Sequence, residues 1–422
     1  MSSPGPTAEA WPQSDQEARR DRADAIELFG PRFHQNPAEL YREIRAQFGP
    51  VAPIVLEGGV PAWFVGDYRE ISQVCGNSDL FARDSRRWNA WDQVPEDWSL
   101  RAFVQHQPTM GFAEGDEYRH RVRTFGTALS GVDQFELQRY CETTADRLID
   151  AFATTGTADL ISQFAYQLPL YALAWGFGMS RDDALYLLQD MVESVRDGDS
   201  TAAHERVARR IRRLVRQKRE LPGADLISRW REGDPDLAED SLVQDLVTVL
   251  TAGQQTVSHW IGNAIRLMLT DEGFAVTLTG GRRSIRHALH EVLWEDTPTQ
   301  NYIGRFATRD TQLGDRLIQA GDMLVLGLAA GNTDPRIRPE TYAANVGNNA
   351  FLSFGTGDRG CPDPAPLLAE TMASTAIQVL MDRLPDVRLR VPPHDLQWVP
   401  SVWMRGLMEL PVEFSPSYVI GD

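Results

Sequence analysis

Phe351-Leu352-Ser353-Phe354-Gly355-Thr356-Gly357-Asp358-Arg359-Gly360-Cys361-Pro362 packs three glycines, an arginine, a cysteine and two aromatic residues into twelve positions. An apolar periodicity after it predicts a helix over Ala365 to Arg383. The spacing Gly355-x-Gly357-x-x-Gly360, with Asp382 further on, matches a dinucleotide-binding fingerprint. That fingerprint needs a firm preceding strand and repeated βαβ units. The surrounding chain is helical in rhythm, and the prolines after Cys361 fit poorly with a helix beginning at the third glycine. A second chemistry uses every unusual residue. A cysteine in a glycine-rich loop just before a helix lies near backbone N–H groups and a positive dipole end, both of which favour thiolate over thiol. Glycines let the backbone approach the sulfur closely and Phe354 can shield it. A thiolate so held is a strong axial ligand for haem iron.

Working outward, residues 241–270 form the longest periodic stretch, mostly apolar, which predicts a central buried helix. At about 1.5 Å per residue such a helix crosses a whole domain. Its middle reads Ala252-Gly253-Gln254-Gln255-Thr256. An interior glycine costs about 1 kcal/mol relative to alanine, and two amides and a hydroxyl are expensive to bury dry. The spacing therefore predicts a local opening toward a cavity or ligand, with a tolerated packing glycine as the plainer alternative. A helix is also predicted near residues 133–152, and a basic one over Ala203 to Glu220. The basic helix reads as a solvated face, or else as a docking surface for an acidic partner. Val51 to Leu56 and Pro61 to Val65, separated by Glu57-Gly58-Gly59, predict a hairpin. Short strands are expected again at Met323 to Leu326, Val387 to Val391 and Leu410 to Phe414. The expected organisation is a polar, flexible tail over residues 1–25 and one mainly α, multihelical domain with small β-sheets over residues 26–422.

The chain has 422 residues, 42 Lys plus Arg and 59 Asp plus Glu, for a net charge of −17. Phosphate backbones and anionic lipid repel such a chain, which argues against a nucleic-acid or membrane-surface protein. No apolar run approaches the ~20 residues that span a bilayer. The opening Met1-Ser2-Ser3-Pro4-Gly5 lacks the regions of a secretory signal, and three scattered cysteines make no disulfide framework, so a cytoplasmic location is expected. Cys75 and Cys141 lie in apolar helical patterns and read as inert core residues. His287, His290 and Glu291 share one helix and could offer ligands to zinc, but no third protein ligand suggests itself and the order is not His-Glu-x-x-His.

Phe354-x-x-Gly357-x-Arg359-x-Cys361 resembles the haem-binding loop of the cytochrome P-450 superfamily, with Asp363 where the family pattern ends in glycine. The resemblance runs from about residue 30 to the end. It implies a haem b cofactor with Cys361 as axial iron ligand, and an oxygen-binding groove at Ala252, Gly253, Gln255 and Thr256. Arg305-x-x-x-x-Asp310, Gly321-Asp322 and Asn332-Thr333-Asp334-Pro335 match the stretch leading to the loop. Glu117-Tyr118-Arg119-His120-Arg121-Val122-Arg123 resembles the helix whose basic residues meet a haem propionate. Arg119, Arg123, Arg305 and Arg359 are accordingly expected at the propionates, with His120 as a substitute, because arginine pairs bidentately with carboxylates.

Three departures stand out. The family's Glu-x-x-Arg becomes Glu291-Val292-Leu293-Trp294, and the later meander position, about Val346, is not arginine either. Glu291 is then expected to lack its partners, with Trp294 packing in their place. The family's acid before Thr256 is Gln255, an amide that orients water but cannot release a proton. The Glu-x-x-Trp pattern and Arg86-Arg87-Trp88-Asn89-Ala90-Trp91 resemble an actinobacterial branch encoded in conservons beside a small GTPase and roadblock-type proteins. The resemblance thus implies a monooxygenase acting on a small lipophilic or natural-product substrate, fed by a ferredoxin and its reductase. The alternative is a haem-binding regulatory or sensor protein with little turnover. The pocket loops, about Arg83 to Phe112 and Arg181 to Thr201, carry no readable substrate code. Trp88, Trp91 and Trp98 suit either an aromatic lid or core packing.

Overall fold

The computed structural model describes residues 25–197, 200–278, 282–338 and 348–421. The tail expected up to residue 24 and the meander position at Val346 lie outside the described residues. The rest is a mainly α fold with small sheets.

The central helix spans Glu239–Thr270, one turn's fraction longer than its periodicity predicts. It is apolar nearly all round because other helices cover most of it. The helices Gln134–Asp150, Gln167–Gly176, Arg282–Glu295 and Ala365–Arg383 share its core through Leu246, Val257, Trp260, Ile261, Leu289 and Ile377. Trp260 is fully enclosed, and its Nε1–H donates to the Leu289 carbonyl at 2.9 Å. That bond removes the cost of burying an indole N–H, leaving the ring's apolar burial, worth about 2–3 kcal/mol, as net gain. The Gln134–Asp150 helix begins where Asp133 accepts from the N–H groups of Phe135 and Glu136, an N-cap that satisfies two otherwise orphaned donors.

The main sheet has the order β1-β2-β3-β9-β6-β4, formed by β1 (Ile26–Glu27), β2 (Val51–Leu56), β3 (Val60–Val65), β4 (Phe81–Ala82), β6 (Tyr302–Ala307) and β9 (Met323–Leu326). The β2–β3 hairpin pairs Val51 with Val65 and Leu56 with Val60, and Gly58 takes φ +80° in its turn. Smaller sheets join β5 (Thr157–Asp159), β10 (Arg388–Leu389) and β11 (Pro411–Glu413), and β7 (Thr311–Leu313) with β8 (Arg316–Ile318). Trp88, Trp91 and Trp98 are core, not lid: Trp88 meets Trp91, Trp98 and Phe306 at ring separations of 4.9, 5.9 and 5.9 Å. The basic helix, Ser200–Glu220, is largely neutralised from neighbouring elements. Arg206 and Arg210 hold Asp190, Arg212 holds Asp240, Arg216 holds Glu239 and Lys218 holds Asp225. A solvated, internally paired face explains it.

Candidate functional site

The cysteine loop is a chain of tight backbone contacts. Gly355 N–H donates to Leu352 O at 2.7 Å, and Cys361 N–H returns to Phe354 O at 2.7 Å. Gly357 has φ +68°, and a Cβ there would stand 2.6 Å from Cys75 O, so the loop lies flush on the end of the Tyr68–Cys75 helix. Only glycine meets both conditions. Phe354 packs edge-on against Trp260 of the central helix at 5.8 Å, fixing the loop to the core.

Cys361 is open to a water-sized probe, yet surrounding protein desolvates it, a combination that describes an atom at the floor of a recess. Burial, aided by the Asp363 carboxylate, pushes its thiol up to about 12. Burial thus opposes the loop and helix end that the sequence expects to favour the thiolate. The Ala365–Arg383 helix starts four residues on, and its leading amides are taken: Ala365 N–H by Pro362 O, Leu367 and Leu368 N–H by Pro364 O. A coordinated metal cation would supply what these dipoles do not, because a metal-bound thiol is deprotonated outright.

Beside the recess three guanidiniums converge, without a carboxylate partner among the described residues. Arg83 and Arg305 are almost wholly buried, and Arg359 is half-buried. Arg83 donates to Ile303 O and Gly304 O at 2.7 Å, and Arg359 to Gly111 O at 3.1 Å and Ala113 O at 2.6 Å. Among the described residues, the Nε atoms of Arg83 and Arg359, and Nε and Nη1 of Arg305, are buried with no hydrogen-bond partner. Burial, with each guanidinium repelling the others, lowers Arg83 and Arg359. At the centre is Tyr302: burial raises its phenol, but Arg83, Arg305 and Arg359 together outweigh burial and lower it. Such a cluster is costly unless anions complete it. A ligand carrying one metal ion and two carboxylates answers both halves of the site, the thiol and the guanidiniums, so the residues present fit haem.

The chain places these cations by a local irregularity. β6 pairs with β9, and its register shifts between Ile303 and Arg305. Gly304 there has φ +92°, and a Cβ on it would lie 2.1 Å from Arg83 Nη1. The bulge re-aims Arg305 and leaves the space that Arg83 fills. Sequence reasoning missed Arg83 and Tyr302. The one available signal was a glycine inside a strand, which marks a bulge or a close approach.

Arg119 and Arg123 are not brought to the cluster. Both lie on the exposed face of the Gly115–Ser130 helix, Arg119 paired with Asp116 at 2.7 Å, and His120 meets Asp234 at 3.0 Å. The helix turns Tyr118 inward instead: its hydroxyl donates to Asp358 O at 2.9 Å and its ring lies 4.1 Å under the Arg359 guanidinium. Arg121 is buried on a bond to Asp245 of the central helix. One residue is about 100° of helix, and that rotation separates the expected face from the observed one.

On the central helix, Ala252 and Gln255 are exposed, and Thr248, Thr251, Thr256 and His259 partly so, between flanks that are buried. These positions form a single stripe facing open space. Gly253 and Gln254 turn away from it. A Cβ on Gly253 would stand 3.2 Å from Leu173, and Gln254 donates to Tyr166 O at 2.9 Å. The helix runs through Gly253 without interruption, so that glycine serves the contact with the Gln167–Gly176 helix and not an opening. Thr256 donates to Ala252 O at 2.7 Å.

Glu291 does have a cation. Arg338 bonds both Glu291 and, at 2.6 Å, Glu295, with its guanidinium 5.5 Å from the Trp294 ring. Trp294 is 2% exposed, donates to Asn348 O at 3.2 Å and meets Phe351 edge-on at 5.8 Å. The expectation that Glu291 lacks partners is corrected: the charge arrives from a different position in the chain. Among the described residues no group of histidine, cysteine, aspartate or glutamate side chains could hold a bare metal ion; His290 instead faces Glu370 at 3.3 Å.

No family model matches the chain. Curated relatives do. The polyketide biosynthesis cytochrome P450 PksS of Bacillus subtilis (strain 168) is 30% identical over 285 residues, 65% of this chain and 70% of that one. The vitamin D(3) 25-hydroxylase of Pseudonocardia autotrophica is 27% identical over 400 residues, 92% of this chain and 96% of its own length. The solved structure of PksS superposes with a TM-score of 0.78 at 25% identity, covering 92% of this chain and 98% of that one.

Proposed function

The chain belongs to the cytochrome P450 superfamily, and from that premise we propose that it hydroxylates a small lipophilic natural product, drawing electrons from a ferredoxin and its reductase. It is a haem-thiolate monooxygenase with haem b as cofactor. The carrying observation is one site: an accessible, desolvated Cys361 beside the guanidiniums of buried Arg83 and Arg305 and half-buried Arg359, which have no carboxylate partner among the described residues. Bound haem supplies the activation of dioxygen; the protein supplies the rest. Cys361 would ligate the iron, and Arg83, Arg305 and Arg359 would hold the propionates. The stripe from Thr248 to His259 bounds the face on which substrate and oxygen meet. Ala252 leaves room there, and the Gln255 amide orients water.

Electrons enter from the cysteine side. The Gly115–Ser130 helix borders that loop, since a Cβ on Gly126 would stand 3.0 Å from Asp363 O. Arg119 and Arg123 on its outer face then serve as cations for an acidic redox partner and not for propionates. Among the described residues no helix is long and apolar enough to cross a membrane, which suits a cytoplasmic enzyme.

The test is NADPH-driven turnover of a panel of lipophilic compounds with surrogate ferredoxin and reductase, after the ferrous carbonyl complex has shown the red-shifted Soret band of thiolate ligation. One observation favours a second reading: Gln255 cannot ionise. A haem-bound regulatory protein, joined to a conservon GTPase or roadblock partner, gives the thiolate band yet turns over nothing with either dioxygen or peroxide.

A further inference from the structure

Three threonines of the central-helix stripe spend their hydroxyls on their own helix. Thr248 donates to Gln244 O at 2.9 Å, Thr251 to Val247 O at 2.9 Å and Thr256 to Ala252 O at 2.7 Å. The polar side chains left on the stripe are Gln255 and His259, one turn apart on the same face. His259 is the ionisable residue of the stripe. Among the described residues neither ring nitrogen has a hydrogen-bond partner.

The fold makes room for this ring. A Cβ at position 406 would lie 1.8 Å from His259 Nδ1, so Gly406, in the turn between Trp403 and Leu407, is the residue that leaves the imidazole its place. Burial lowers the imidazole to about 4, which keeps it neutral at physiological pH. A neutral imidazole has one N–H donor and one bare acceptor nitrogen, so it takes a proton at one nitrogen while releasing one from the other. The amide of Gln255 cannot do this.

We propose that His259 is the proton-relaying residue of the oxygen groove, replacing the acid that Gln255 has displaced. This rests on the haem-thiolate reading above. A solvent proton adds at one ring nitrogen while the N–H of the other releases its proton to a water in the groove, so the ring stays neutral and is left as the opposite tautomer, which exchange with solvent resets. Electrons come from NADPH by the redox partners already described. His259 acts through other groups, so it positions and relays.

The test uses haem-loaded protein. In His259→Asn, coupling of NADPH consumption to product falls by about tenfold or more, toward the scale of a lost general acid–base step, and peroxide rises to match. His259→Asn/Gln255→Glu recovers most of that loss, which a merely structural role for His259 does not explain. Independently of turnover, the C–O stretch of the ferrous carbonyl complex shifts when the N–H network of the groove loses the imidazole. A coupling ratio equal to wild type, or a stretch that does not move, overturns the relay. If His259→Asn fails to take up haem, His259→Gln replaces it. If no compound is turned over, the carbonyl stretch decides alone. A wild-type protein without the thiolate Soret band sinks the haem-thiolate reading itself, a result distinct from a normal band that the variant leaves unchanged.

Discussion

A buried guanidinium with unbonded N–H groups is a debt that a folded protein settles with an anion. Arg305 shows this most clearly, with two orphan nitrogens at 2% exposure. Charge-assisted hydrogen bonds are worth about 1.5–3 kcal/mol each. Arg83→Ala, Arg305→Ala and Arg359→Ala should therefore each weaken haem retention by roughly 10- to 100-fold, measured by transfer to apomyoglobin. Arg119→Ala and Arg123→Ala should leave retention unchanged and raise the KM for the redox partner, more so at low salt. Retention lost in Arg119→Ala would restore the propionate role that its sequence position suggested. Cys361→Ala should abolish the thiolate carbonyl band, whereas Cys141→Ala, a wholly buried thiol that burial pushes up to about 12, should not alter it.

At the scale of elements, the meander and the Arg282–Glu295 helix form one unit: Arg338 is clamped by Glu291, Glu295 and the Trp294 face. Trp294→Arg places a second guanidinium in a buried aromatic slot beside the first. It should destabilise by about 3 kcal/mol or more in urea unfolding. Removing the competing charge in Trp294→Arg/Arg338→Ala should regain part of that loss, a non-additivity expected of touching residues. Strictly additive costs would show that the two do not interact. Gly357→Ala tests the loop: φ +68° and a Cβ 2.6 Å from Cys75 O oppose the native conformation together. The variant should purify with little haem although its helices remain, as read by far-UV circular dichroism.

For the whole molecule, the pH dependence of stability carries the mark of the groove. His259 titrates near 4 in the fold and near 6.5 when unfolded, so the unfolded chain binds the extra proton between those values. Its contribution is fully present above about 6.5 and is lost as pH falls toward 4, by roughly 3 kcal/mol. Wild type should lose thermal stability across that window faster than His259→Asn. Parallel curves would show an imidazole that is already solvated. Haem binds only the folded state, so its removal should lower the melting temperature of wild type. Arg305→Ala, expected to retain haem poorly, should lose less.

The sequence alone determined the helical class, the central helix, the β2–β3 hairpin and the cysteine loop, because each rests on local physics: a 3.6-residue period, a Gly-Gly turn, a glycine spacing around one thiol. It also determined that Gln255 stands where the family keeps an acid. Tertiary structure decided what depends on direction and on distant partners. A rotation of one residue exposed Arg119 and Arg123 and turned Tyr118 inward. A bulge at Gly304 joined Arg83 to Arg305 across about 220 residues of chain. Arg338 reached Glu291 from outside the expected motif. His259 became part of the groove only once a helix face and Gly406 were brought together. Spacing along a chain encodes periodicity, but the partner of a buried charge is chosen by packing in three dimensions.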